Sequence, residues 1–111
     1  MKSIYISLPI TGNEDTYEQR LDAAVEYVKT NYPEYEMIIT PKEIAERLED
    51  MLPMKPTYKE LLLADMEAIS HCDAIFKCNG WYDSSRCFLE HAFADAIGLT
   101  ILYQKDKILR L

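Results

Sequence analysis

Two carboxylates stand at positions where a globular protein normally places apolar side chains. Read as helices, the segments around them put Asp65 on one face with Leu61 and Ile69, and Glu90 on one face with Phe93. A buried acid is costly unless it is hydrogen-bonded, paired or used in chemistry. Two such acids facing one cleft are typical of enzymes that cleave glycosidic bonds.

Each acid also has a structural interpretation. Asp65 could accept hydrogen bonds from the backbone amides of a loop, and Glu90 could lean toward solvent beside Arg86. For either acid alone the sequence does not decide between these interpretations. The pair, taken together, favours a functional site.

Length and charge limit the classes of function. The chain has 111 residues, which predicts a single domain spanning residues 1–111. Its formal net charge of −7 argues against a nucleic-acid partner, because such surfaces need a basic face. A free nucleotide remains possible, since one helix N-terminus can hold one phosphate.

Compartment and metal content follow from the apolar and cysteine patterns. The opening MKSIYISLPI is too short to span a membrane and is more typical of a strand than of a signal peptide. The 3 cysteines lack CxxC spacing, so we expect reduced thiols, a cytoplasmic location and no membrane partner. Cys87 and His91 could start a metal site, but no further ligand cluster completes it. We therefore expect neither a metal nor another cofactor.

Hydrophobic periodicity and turn signals divide the chain into alternating elements. Strands are predicted at residues 3–8, 35–39, 73–78 and 99–103, and residues 105–111 form a fifth strand or an arm. Helices are predicted at residues 13–31, after Thr40, after Thr57 and after Ser84 or Ser85, the last one ending at Gly98.

This order predicts an α/β fold, namely a flavodoxin-like three-layer sandwich with a four- to five-stranded, mostly parallel sheet. Ligands of such sheets bind at the carboxyl ends of the strands. The turns LPITG and NGWYDSS and the start of the Glu90 helix should meet there. Asp65 lies about two turns along a helix that runs the other way, so its height relative to this cleft stays open.

Several short motifs occur in the order found in one known superfamily. They are Tyr5 to Gly12, Asp65-Met66-Glu67-Ala68-Ile69, Asp73-Ala74-Ile75, Gly80-Trp81, and Ser84 to Glu90 followed by Ala94 and Gly98. The chain thus resembles the nucleoside 2-deoxyribosyltransferase superfamily, which includes the 2′-deoxynucleoside 5′-phosphate N-hydrolases. It is most similar to small bacterial and phage members of that superfamily.

The resemblance implies a role for each matching residue. Glu90 would be the nucleophile that attacks the anomeric carbon, and Asp65 would assist departure of the base. Tyr5 would orient the nucleophile or the sugar. Ser84, with the amides at the helix start, would hold the 5′-hydroxyl or 5′-phosphate.

The chain also departs from the superfamily pattern. Arg86 replaces a glycine, so its guanidinium could either grip a phosphate or pair with Glu90. Pro9 removes one amide donor from the first turn. Trp81 could stack on a base or cover the core. Substrate is expected to contact Ser84, Arg86, Trp81, Pro9 and Gly12.

The predicted function is therefore an N-glycosidic bond transferase or hydrolase acting on a nucleoside or nucleotide. The alternatives are a non-catalytic module that binds or senses a nucleotide, and an interaction subunit in which the acids are structural. The orientation of Arg86 distinguishes the enzyme from the binding module, because a salt bridge between Arg86 and Glu90 would mask the nucleophile. The 8 tyrosines, together with the oligomers formed by relatives, predict a homodimer or larger homo-oligomer.

Overall fold

Helices and strands alternate along the chain. The computed structural model describes residues 1–10 and 14–105. The strands are β1 (Lys2–Ser7), β2 (Tyr35–Ile39), β3 (Ala74–Lys77) and β4 (Thr100–Tyr103). The helices are α1 (Tyr17–Asn31), α2 (Pro41–Met51), α3 (Tyr58–Ser70) and α4 (Ser85–Ala96), with short 3-10 turns at Glu14–Thr16 and Trp81–Asp83. Every element predicted within the described residues is confirmed.

The sheet is parallel throughout its described strands, in the order β2-β1-β3-β4. β1 and β3 are therefore the central strands, and Ser7 is paired in register with Lys77 at their carboxyl ends. This arrangement confirms the α/β, flavodoxin-like three-layer class. A fifth strand or an arm was expected at residues 105–111, of which residues 106–111 lie outside the described residues.

Side chains of the central strands alternate between two cores. On one face, α1 packs its buried residues against the first core, which includes Ile4, Ile6 and Phe76. On the other face, buried residues of α2, α3 and α4 pack around Tyr5 and Ile75. Tyr5 and Ser7 stand two positions apart on β1 and thus point toward the α3 and α4 side.

Specific caps fix where the helices start. Thr57 caps α3 by accepting a hydrogen bond from the Glu60 amide, while the Glu60 carboxylate accepts one from the Thr57 amide. Ser84 caps α4 by accepting from the Cys87 amide at 3.2 Å. These caps set the start of the two helices that carry Asp65 and Glu90.

No helix within residues 1–10 and 14–105 combines the length and the apolar character needed to cross a lipid bilayer.

Removing the α3 cap should weaken the fold. Thr57→Ala leaves the Glu60 amide without its side-chain acceptor, so we expect the free energy of unfolding to fall by about 1 kcal/mol. Urea denaturation measures this change. The matched control is Thr30→Ala, at an exposed position of α1, which should shift the free energy by less than about 0.5 kcal/mol. An equal loss in both variants would contradict the role of the cap.

Candidate functional site

Two hydroxyl groups of β1 hold the carboxylate of Glu90. Tyr5 Oη donates to Glu90 Oε2 at 2.9 Å, and Ser7 Oγ donates to Glu90 Oε1 at 2.7 Å. All three side chains are buried, and Glu90 is only 1% exposed. Because both carboxylate oxygens accept hydrogen bonds, this arrangement suits the ionised form of Glu90.

Tyr5 is kept as a hydrogen-bond donor by its surroundings. Burial, followed by the negative charges of Glu90 and Asp65, raises the pKa of Tyr5 well above its ordinary value. The phenol therefore keeps its proton at physiological pH. The predicted contact between Tyr5 and the nucleophile candidate is present in the structure.

Arg86 links the two acids. Its Nη2 atom lies 2.6 Å from Asp65 Oδ2, and its Nε atom lies 3.4 Å from Glu90 Oε2, one turn along α4. The Asp65 and Glu90 side chains are 3% and 1% exposed, whereas that of Arg86 is 20% exposed. The sequence did not decide whether Asp65 lies far enough along its helix to reach the cleft. In the structure α3 brings its carboxylate to the same guanidinium as that of Glu90.

Arg86 adopts one of the two arrangements that the sequence left open, the pair with Glu90, and makes a second contact that the sequence did not predict. It pairs with Glu90, which masks that carboxylate, and it also reaches across to Asp65 on the neighbouring helix. Burial alone would lower the pKa of Arg86, but the combined effect of Tyr5, Asp65 and Glu90 raises it. The guanidinium therefore stays charged in this site.

Asp65 differs from Glu90 in its hydrogen bonding. Although Arg86 is in ion-pair contact with Asp65 Oδ2, no donor of the described residues is aligned for a hydrogen bond to that atom. Burial raises the pKa of Asp65 to about 7, against the opposing effect of Arg86, and the charge of Glu90 raises it further. Near neutral pH, Asp65 can therefore carry a proton, as a general acid requires.

A buried lysine lies behind Glu90, and the sequence analysis did not single it out. Lys77, 1% exposed, donates from Nζ to the Cys87 carbonyl oxygen at 2.7 Å and to Ser7 Oγ at 3.3 Å. Ser7 was also missed. The signal for both was available: Ser7 shares the face of Tyr5 on β1, and Lys77 interrupts an otherwise apolar strand.

Two adjoining cavities open beside Arg86, the residue that links the two acids. The first has a volume of about 270 Å³ and is lined in part by Tyr17, Pro41, Leu61, Asp65 and Arg86. The second, of about 580 Å³, is lined in part by Pro9, Leu61, Gly80, Ser84, Ser85 and Arg86. Ile10, Leu61 and Arg86 line both cavities, so they form a boundary shared by the two. Glu90 lines neither of them and lies behind Arg86.

Tyr17 brings an unused hydroxyl to the first cavity. Its Oη atom is buried and has no hydrogen-bond partner among the described residues. Burial raises the pKa of Tyr17 to about 12, so the group remains a neutral phenol. An unpartnered buried hydroxyl normally costs about 1–3 kcal/mol, which a ligand that bonds to it would recover.

The remaining predicted contacts divide into three groups. Ser84 and Pro9 line the second cavity, as the sequence prediction requires. Trp81 is not among the residues that line either cavity, because its ring stacks on His91 at 4.5 Å and lies over Lys77 Nζ. Gly12 lies outside the described residues.

The fold and the site together define a small α/β domain with a buried acid-arginine-acid cluster at the carboxyl edge of its parallel sheet. The chain belongs to the family described as "Domain of unknown function (DUF4406)", whose sequence model matches residues 2–103. No curated protein and no solved structure matches the sequence significantly.

The raised pKa of Asp65 predicts a pH-dependent contribution to stability. Its folded-state pKa of about 7 exceeds the ordinary value of 3.8, so the folded protein holds a proton there that the unfolded chain releases. This contribution to stability is complete below the ordinary pKa of 3.8 and is lost as the pH rises through the folded-state pKa of about 7. The stability of wild type relative to Asp65→Asn should therefore decrease between about pH 4 and pH 8.

Urea denaturation of both proteins across this pH range measures the effect. Asp22→Asn, at an exposed position of α1, is the matched control for loss of one carboxylate. A stability difference between wild type and Asp65→Asn that is constant or increases with pH would contradict the protonation of Asp65.

Proposed function

We propose that this protein cleaves the N-glycosidic bond of a nucleoside or nucleotide, as a hydrolase or a transferase. The observation that carries the proposal is the pairing of two buried carboxylates on one guanidinium, beside two cavities. The two acids have different environments. Glu90 accepts two hydroxyl donors, and burial raises the pKa of Asp65 to about 7. A carboxylate nucleophile and a carboxylic acid of this kind are what glycosidic cleavage through a covalent intermediate requires.

In the proposed reaction, Glu90 Oε attacks the anomeric carbon of the sugar and forms a glycosyl ester. The carbon–nitrogen bond breaks and its electron pair goes to the departing base, which takes a proton from Asp65. A water molecule then attacks the ester, releases the sugar and frees Glu90, while its proton returns to Asp65. In a transferase, the nitrogen of a second base takes the place of water.

The cavities suggest where the parts of the substrate bind. The first cavity has apolar walls at Pro41 and Leu61 and polar groups at Asp65 and Tyr17, which suits a flat heterocyclic base. The second is larger and is lined by Ser84, at the start of α4, which suits the sugar and a 5′-phosphate. Asp65 is then beside the leaving base, as its role requires.

Arg86 must move for this reaction. It lines both cavities and contacts Glu90 at 3.4 Å, so an entering substrate meets Arg86 before it meets the nucleophile. A phosphate or sugar oxygen could replace the longer of its two acid contacts, which would uncover Glu90.

The alternative is a binding module that holds a nucleoside or nucleotide without cleaving it. The observation that favours it is the position of Glu90, which is 1% exposed and covered by Arg86. In that case the acid cluster would serve to place Arg86 at the boundary of the cavities.

We further propose that the protein acts in the cytoplasm as a homodimer or larger homo-oligomer. Its 3 free cysteines are all buried, which agrees with a reducing compartment. Apolar side chains on α3 and α4 are exposed, among them Leu63 at 70%, Phe88 at 55% and Leu89 at 43%. Such side chains are typical of a surface that a second copy covers.

Base release from a panel of nucleosides and 5′-nucleotides tests the activity. Wild type should release base from at least one member of the panel. Glu90→Gln, which keeps the shape but cannot attack, should reduce the rate by about a thousandfold or more. Liquid chromatography of the free base measures both proteins, and circular dichroism checks that the variant is folded.

Each other outcome has a definite meaning. Binding without release by wild type, measured by calorimetry, would favour the non-catalytic module. Release that persists in Glu90→Gln would show that the nucleophile is assigned wrongly. No binding and no release across the panel would contradict both functions.

Tyr17→Phe tests whether the first cavity holds part of the ligand. Because the Tyr17 hydroxyl has no partner among the described residues, its removal should leave the melting temperature unchanged or higher. The dissociation constant of a panel member that binds should rise about 5- to 10-fold, the value of one neutral hydrogen bond. Tyr82→Phe, at an exposed tyrosine outside the residues lining the two cavities, is the matched control. Unchanged affinity in Tyr17→Phe would exclude the hydroxyl from ligand recognition.

A further inference from the structure

Lys77 is the last residue of β3 and its side chain is almost completely buried, with 1% exposure. Withdrawing an ammonium group from water is unfavourable unless specific partners compensate for it. The partners of Lys77 therefore indicate what this charge is kept for.

Three contacts hold the ammonium group in place. Nζ donates to the Cys87 carbonyl oxygen at 2.7 Å and to Ser7 Oγ at 3.3 Å, and it lies 4.6 Å from the centre of the Trp81 ring. These partners belong to α4, to β1 and to the turn between β3 and α4. Lys77 thus has one well-defined position between the elements that build the site.

The direction of the Ser7 hydroxyl follows from the chemistry of lysine. An ammonium group donates hydrogen bonds and accepts none, so Ser7 Oγ uses a lone pair for Lys77. The hydroxyl proton of Ser7 is then directed to Glu90 Oε1, at 2.7 Å. Lys77 in this way determines that Ser7 acts as a donor to Glu90.

We propose that Lys77 is a positioning residue that acts through Ser7 to orient the Glu90 carboxylate for attack. This inference rests on the proposed function, because it assigns Lys77 a part in the same reaction. Lys77 itself does not touch the substrate, since it is buried behind Ser7 and Glu90.

Deprotonation of Lys77 should remove this control. Burial lowers the pKa of Lys77 to about 8, although Cys87, Glu90 and Cys78 oppose the shift. A neutral amine can accept a hydrogen bond, so the Ser7 hydroxyl could then turn from Glu90 to Lys77.

The other ionisable groups that face Lys77 have pKa values that differ from that of Lys77. The pKa of Cys78 is raised to about 12 and that of Cys87 is also raised, both mainly by burial. The pKa of His91 is lowered by burial and by the charge of Lys77. Within the site, Asp65 is the group closest in titration to Lys77, with a pKa of about 7.

A purely structural role for Lys77 makes different predictions. As an anchor for the first turn of α4, Lys77 would contribute to stability and substrate affinity independently of Ser7. As a positioning residue, it should affect turnover and do so only while Ser7 is present. A double-mutant cycle separates the two roles.

The cycle uses Lys77→Met, Ser7→Ala and the double variant, with a substrate from which wild type releases base. Each single change should lower kcat about tenfold or more and leave KM within about twofold, because the lost interaction orients the attacking group. The double variant should be no slower than the slower single variant. Lys2→Met, which removes the exposed lysine over the Tyr35 ring, is the matched control and should leave kcat unchanged.

The pH profile provides a readout that an anchoring role would not change. In wild type, kcat should fall about tenfold per pH unit once Asp65 has lost its proton. Loss of the Lys77 proton should then lower kcat by a further factor, equal to the factor that Lys77→Met causes. In Ser7→Ala the decrease in kcat caused by loss of the Lys77 proton should be absent. This test can be made even if Lys77→Met does not fold.

Unfolding measurements decide the inference without activity. Lys77→Met should lower the free energy of unfolding more in wild type than in the Glu90→Gln background, because the negative charge of Glu90 is absent from that background. Additive effects in the stability cycle, or in the kcat cycle, would overturn the role of Lys77. If wild type releases no base, the proposed function fails together with the catalytic part of this inference. The stability cycle then shows separately whether Lys77 and Glu90 are coupled.

Discussion

The carboxylate of Glu90 imposes the strongest constraint on this structure, because an anion that is 1% exposed must be compensated by its neighbours. Tyr5 and Ser7 donate to its two oxygens, and Arg86 lies within ion-pair distance. These contacts tie α4 to β1, a central strand of the sheet. Lys77 extends the same network from Ser7 to β3 and to the first turn of α4.

The position of this network follows from the topology. Ser7 and Lys77 are paired in register at the carboxyl ends of the two central strands, and the chain enters α4 shortly after β3. α3 packs beside α4 and brings Asp65 to the guanidinium of Arg86. Two acids and two cations thus share one buried cluster. Their opposite charges offset the desolvation that each of them suffers alone.

The same arrangement separates the two acids chemically. Glu90 lies in a pocket of donors, whereas Asp65 Oδ2 has no aligned donor among the described residues and lines a cavity. Environments that differ in this way let two carboxyl groups exist in different protonation states at one pH. This difference, more than the presence of two acids, supports the proposed acid-assisted cleavage.

Much of this could be predicted from the sequence, because it depends on local signals. Strand alternation, the Thr57 capping box and the Ser84 cap gave the elements, and the acids on apolar helix faces identified Asp65 and Glu90. The direction of long side chains could not be predicted in the same way. For Arg86 the sequence left open a phosphate or Glu90 as the partner, and its contact with Asp65 depends on the packing of α3 against α4.

The contacts of Lys77 and Trp81 could not be predicted from local sequence signals either. Lys77 is a single polar residue at the end of a strand, and its importance depends on Ser7, which is 70 positions away in the sequence. For Trp81 the sequence left open stacking on a base or covering the core. In the structure its ring stacks on His91 and lies over Lys77.

The most direct test of this account is a search for a sugar bound covalently to Glu90. Wild type mixed with a nucleoside or nucleotide from which it releases base would be quenched in acid, digested and analysed by mass spectrometry. The account predicts that the peptide containing Glu90 becomes heavier by one sugar residue, and that Glu90→Gln yields no such peptide. Base release with the sugar on another residue, or on none, would contradict the assignment of Glu90 as the nucleophile.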